Sequence, residues 1–172
     1  MNMQKIKLGV AILVACVFSG QASAVLTISD QGIVGTIDAG TQNVGFSDAN
    51  ELTWAQYLLD MGVGATATAD PDGNGATEDY VANDTFDYSG TLSGPVKDAD
   101  GLGSAEGYEY VLGKYDGQNA GFILFNMADW YAANGTYEIP QYPANFWTTN
   151  GEQYAISHWV GFNGTSVPEP GT

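Results

Sequence analysis

The chain has 172 residues, with 20 Asp and Glu against 4 Lys and Arg and a formal charge of −16, which excludes nucleic acid and anionic membrane surfaces as partners, since both need clustered basic side chains. Only 14% of residues are charged while 44% are hydrophobic, a balance that excludes wholesale disorder and fits one packed domain. One cysteine rules out a disulfide framework or a thiolate metal site, and one histidine rules out a multi-histidine zinc site.

At the N-terminus, Lys5 and Lys7 precede an apolar run over residues 8–18, and Ala22-Ser23-Ala24 follows. That order of basic, apolar and small residues predicts a secretory signal peptide over residues 1–24, with Ala22 and Ala24 setting the cleavage site. The apolar run is too short to span a bilayer. Leu13-Val14-Ala15-Cys16 offers an alternative, a lipobox that would make Cys16 the lipidated first residue. Cleavage after Ala24 removes Cys16 and two lysines, leaving Lys97 and Lys114 against 20 acidic residues, a charge of −18.

The mature chain then reads as a single β-rich domain over residues 25–163. Alternation predicts a first strand at 25–29 and a second at 33–37. Residues 47–61 switch to a helical period: Ser47 or Asp48 as N-cap, Asp48 and Glu51 near the positive end, Leu52, Ala55, Leu58 and Leu59 on one face, and Gly62 as the stop. Residues 62–107 are rich in Gly, Asp, Thr and Asn and read as loops around one strand at 80–88. Strands are expected at 108–115 and 121–126, joined as a hairpin through Asp116-Gly117-Gln118-Asn119. A turn at Asn134-Gly135 leads to a strand at 136–139, and a last strand covers 154–162, with Tyr154, Ile156, His158, Val160 and Phe162 on one face. Many short strands with one helix predict a mainly β fold, an antiparallel β-sandwich or jelly-roll-like domain with one short helix.

Three groups of residues bear on chemistry. Asp70-Pro71-Asp72-Gly73-Asn74-Gly75 places oxygen ligands at alternate positions with glycine next, as a calcium loop does, and Glu78 stands at the ninth position. The twelfth, which should be a bidentate Glu, is Val81, so calcium held by Asp70, Asp72, Asn74 and Glu78 is expected to be weak. Asp98-Ala99-Asp100-Gly101 is a shorter echo of the same spacing, and a solvated acidic turn is the competing reading for both. His158, the one histidine, lies mid-strand without a Gly-x-Ser-x-Gly elbow anywhere, and is expected to be a buried histidine satisfied by a hydrogen bond. Paired carboxylates with exposed aromatics (Tyr142, Phe146 and Trp147) would suit a secreted carbohydrate-active enzyme, although aromatics covering one end of a sandwich are the stronger account of them.

The chain ends in a tail over residues 164–172 that contains Val167-Pro168-Glu169-Pro170. This resembles the start of the PEP-CTERM sorting signal of exported bacterial proteins. The stretches Tyr110-Val111-Leu112-Gly113-Lys114-Tyr115-Asp116-Gly117 and Ile156-Ser157-His158-Trp159-Val160-Gly161-Phe162-Asn163 are also similar to the endings of such proteins, and Asn50-Glu51-Leu52-Thr53-Trp54 more loosely so. The resemblance implies an exosortase-type processing enzyme as partner and an exopolysaccharide-producing Gram-negative source. It implies delivery to the cell surface or extracellular matrix, and membrane contact only through a C-terminal helix that this chain does not contain. It implies no catalytic residues. A non-catalytic surface or matrix protein associated with polysaccharide is therefore expected, with a carboxylate-pair enzyme and a calcium-stabilised adhesion module as alternatives.

Overall fold

The computed structural model describes residues 26–39, 47–115, 121–142 and 155–163. Its elements in chain order are β1 (Ile33–Asp38), α1 (Asp48–Leu59), β2 (Thr66–Ala69), β3 (Glu78–Ala82), β4 (Val96–Asp98), β5 (Tyr110–Tyr115), β6 (Gly121–Asn126), α2 (Met127–Asn134) and β7 (Ile156–Phe162). The seven strands form one sheet in the order β2-β3-β1-β6-β5-β7-β4, and every pairing is antiparallel. The mainly β, antiparallel class expected from the sequence is the class of the fold.

Both faces of the sheet are covered. On one, Trp54, Ala55, Leu58 and Leu59 of α1 pack over Ile37, Tyr80, Leu112, Phe122, Leu124, Val160 and Phe162. On the other, Met127 and Trp130 of α2, with Ala105 and Ile139 from loops, cover Val111, Tyr115, Ile123, Phe125, Ile156 and Trp159. Burial on both sides explains why β6 reads Phe-Ile-Leu-Phe without polar alternation.

The helix α1 starts as expected, with Ser47 as N-cap accepting from the Asn50 N–H. A second helix, α2, adds to the one that the sequence pattern predicts: Asn126 caps it through the Asp129 N–H, and Gly135 ends it in the left-handed region. Gly135 is thus a helix C-cap, and residues 136–139 are not a strand. They form a loop held by the Trp130 indole on the Glu138 carbonyl and by the Ala105 N–H on the Tyr137 carbonyl.

Two other expected strands are replaced or shortened by side-chain-directed turns. Asp30 accepts from both the backbone and the hydroxyl of Thr27, which makes 27–30 a turn. The strand expected at 80–88 ends at Ala82, because Asn83 accepts from the Thr85 and Phe86 N–H groups and donates to the Ile33 carbonyl. β5 and β6 pair antiparallel as the expected hairpin does, while its turn residues 116–119 lie outside the described residues, as does Tyr154. The last strand is in place, but its faces shift. Lys114 pairs with His158 and Tyr115 with Ile156, so Ser157 is the extra residue of a β-bulge and Ile156 turns to the face opposite His158 and Val160.

Candidate functional site

Residues 70–77 connect β2 to β3, and Glu78 opens β3 directly opposite Ala69, the end of β2. The side chains of this loop hold its own backbone. Asp70 accepts from the Asn74 N–H at 3.0 Å and the Gly75 N–H at 2.9 Å. Asp72 accepts from the Asn74 N–H at 3.2 Å and from the Asn74 amide at 2.9 Å, and Asn74 accepts from the Ala76 N–H at 2.7 Å. Gly75 has φ +89°, a conformation that favours glycine, at the sixth position from Asp70 where a calcium loop makes its sharp turn. The Gly75 N–H, ahead of Asp72 and the Asn74 N–H, holds the Asp70 carboxyl below the usual carboxylate range.

Glu78 is different in kind, being only 1% exposed. The Tyr80 hydroxyl donates to its Oε2 at 3.1 Å, while Oε1 has no hydrogen-bond partner among the described residues. Burial pushes its proton affinity up; the Tyr80 bond opposes this, and the charges of Asp72 and Asp70 add to the rise. The four expected calcium ligands thus share one end of the β2–β3 hairpin. Among the described residues, no three His, Cys, Asp or Glu side chains are grouped so as to hold a metal ion as they stand. The echo at Asp98 is a plain turn, its carboxylate accepting from the Asp100 and Gly101 N–H groups.

A second buried carboxylate has no counterpart among the residues singled out by motif. Glu51, 1% exposed on the inner side of α1, places Oε1 2.9 Å from Nε2 of His158 on β7, which is 8% exposed. The Ser157 hydroxyl lies 3.3 Å from the other ring nitrogen. These are the residue types of a serine hydrolase, yet the ring is buried between helix and strand, so the group ties α1 to the sheet. One signal in the sequence hints at it: an acid three and four residues before Trp54 and Ala55, on the apolar stripe.

Clefts bounded by described residues include the following. One of about 610 Å³ lies between α1 and residues 90–92, with Leu52, Tyr57, Asp60 and Pro71 in its wall. One of about 400 Å³ runs along β2 and β3 beside Thr66, Thr68, Asp79 and Val81. The third, about 10 Å³, lies under Phe86 and Asp87. Each has a single acidic side chain in its wall.

Of the expected exposed aromatics, Tyr142 is 54% exposed, while Phe146 and Trp147 lie outside the described residues. So do Ala22, Ala24 and Cys16 at one end and Val167, Pro168, Glu169 and Pro170 at the other. No helix among the described residues is long and apolar enough to cross a membrane. No protein-family model, curated protein or solved structure matches the chain.

Proposed function

We propose that this is an exported, non-catalytic surface or extracellular-matrix protein, sorted at Val167-Pro168-Glu169-Pro170 by an exosortase-type enzyme and associated with exopolysaccharide. The observation that carries the reading is the Pro-Glu-Pro motif just past Asn163, the last described residue of the body. Asn163 is tied down firmly. Its side chain accepts from the Ser93 N–H and hydroxyl and donates to the Thr91 carbonyl, and its own N–H donates to the Ser93 carbonyl. The last strand is therefore fastened to the body before the motif starts, which suits a sorting element that another enzyme must reach.

The three clefts described above each carry a single acidic side chain, which suits binding better than glycoside cleavage there, since cleavage needs two carboxylates about 5 to 10 Å apart across a substrate. The test is Pro168→Ala with Pro170→Ala in the complete natural chain in its own host. Removal of the signal peptide should proceed as in the wild type, while C-terminal processing and surface delivery are lost. Normal processing and delivery of the double variant would overturn the reading.

A further inference from the structure

The β2–β3 hairpin carries Asp70, Asp72, Glu78 and Asp79 and no basic residue. The two lysines within the described residues stand toward the other end of the sheet, Lys97 on the edge strand β4 and Lys114 on β5. Among the described residues, no basic side chain of the hairpin is thus available to offset its charge. Glu78 adds a separate observation. A carboxylate 1% exposed with one oxygen unpartnered among the described residues is costly to hold, because an ion taken out of water needs a compensating partner. It opens β3 at the base of the acidic loop, opposite Ala69, the residue before Asp70. A cation there would satisfy Glu78 and relieve the repulsion among Asp70, Asp72 and Glu78.

We propose that the β2–β3 loop binds calcium, with Asp70, Asp72, Asn74 and the buried Glu78 carboxylate as its ligands. All four offer oxygen, which a hard cation requires, and the loop already makes the turn at Gly75. Binding turns the carboxylates from backbone N–H groups toward the ion, because in the present arrangement they satisfy the loop instead. Magnesium is disfavoured, since it demands near-ideal octahedral geometry and dehydrates reluctantly. Val81 at the twelfth position gives no bidentate ligand, so the dissociation constant belongs in the range of about 10⁻⁴ to 10⁻³ M.

The test uses the full mature chain, titrated with calcium chloride by calorimetry and by thermal melting, with sodium chloride and magnesium chloride controls at equal ionic strength. One calcium per chain is expected, with a melting temperature raised by about 3 to 6 °C at ten times the dissociation constant. Glu78→Gln and Asp72→Asn should each weaken binding at least about tenfold, as loss of a charged ligand does. Asp72→Asn carries the test should the buried substitution fail to fold. Absence of binding heat, an equal response to magnesium or sodium, or wild-type affinity in both variants would overturn the site.

Discussion

Glu51 and Glu78 are both buried to 1% exposure, and their different surroundings set different expectations. Glu51 is bonded to His158, so His158→Ala leaves a buried carboxylate with nothing in place of the ring. Leaving one partner of a buried hydrogen bond unsatisfied costs about 1 to 3 kcal/mol, more where it is charged, whereas replacing both with apolar residues of similar shape can be nearly neutral. His158→Ala should therefore lower the melting temperature strongly and Glu51→Leu with His158→Leu should recover most of the loss, both read by thermal denaturation. For Glu78 the sign of the pH effect is opposite to that of Asp70. Burial raises its proton affinity in the folded state, so between its ordinary and raised values the folded chain holds a proton that the unfolded chain has lost. Its contribution to stability then improves as pH falls through that window. Asp70, held low, contributes stability above its ordinary value that is lost in stronger acid. In chelator, wild type should gain more stability than Glu78→Gln between pH 7.5 and about pH 5. Equal gains would place the Glu78 carboxyl in water.

Among the elements, those with unbroken local signals are legible in the sequence: β6 through its apolar run, α1 through its cap and stripe, and β5 through its tyrosines. The turn over residues 70–75 is legible too, because the side chains that hold it are close in sequence. What is not legible depends on distant contacts or on one local bond outcompeting a pattern. The Glu51–His158 bond joins residues 107 apart. Residues 136–139 have strand composition but are held over the sheet by Trp130 and Ala105. The Ser157 bulge reverses a face that strict alternation assigns to Ile156. In β7, Gly161 also has a role only packing reveals: a Cβ there would lie 2.4 Å from the Tyr108 ring, which packs edge-on against Trp159. Gly161→Ala should cost about 1 to 3 kcal/mol as overpacking, while Gly62→Ala, with nothing within 4 Å, should be close to neutral. Chemical denaturation separates the two, and Tyr108→Ala should relieve much of the Gly161→Ala loss.

At the scale of the whole molecule, the described part of the chain closes at Asn163, the residue after β7. This residue takes φ +57°, which asparagine tolerates better than most side chains, and its amide joins the end of β7 to residues 91 and 93. Those residues belong to the same stretch that Gln56 of α1 grips through the Gly90 carbonyl and the Leu92 N–H. One short segment is thus held from the helix on one side and from the last strand on the other, and Asn163 closes the connection. Removing residues 164–172 should leave the melting temperature unchanged within error, because every bond of this clamp is made by Asn163 or residues before it. Asn163→Ala should lower it modestly, since it removes the side-chain bonds to the exposed Ser93 N–H and Thr91 carbonyl, which water can then satisfy, at a cost of about 0.5 to 1.5 kcal/mol. Asn163→Gly keeps the backbone conformation but not the amide, so it should recover only the conformational part of that loss. A tail deletion that lowers the melting temperature by several degrees would instead place part of residues 164–172 within the stable body.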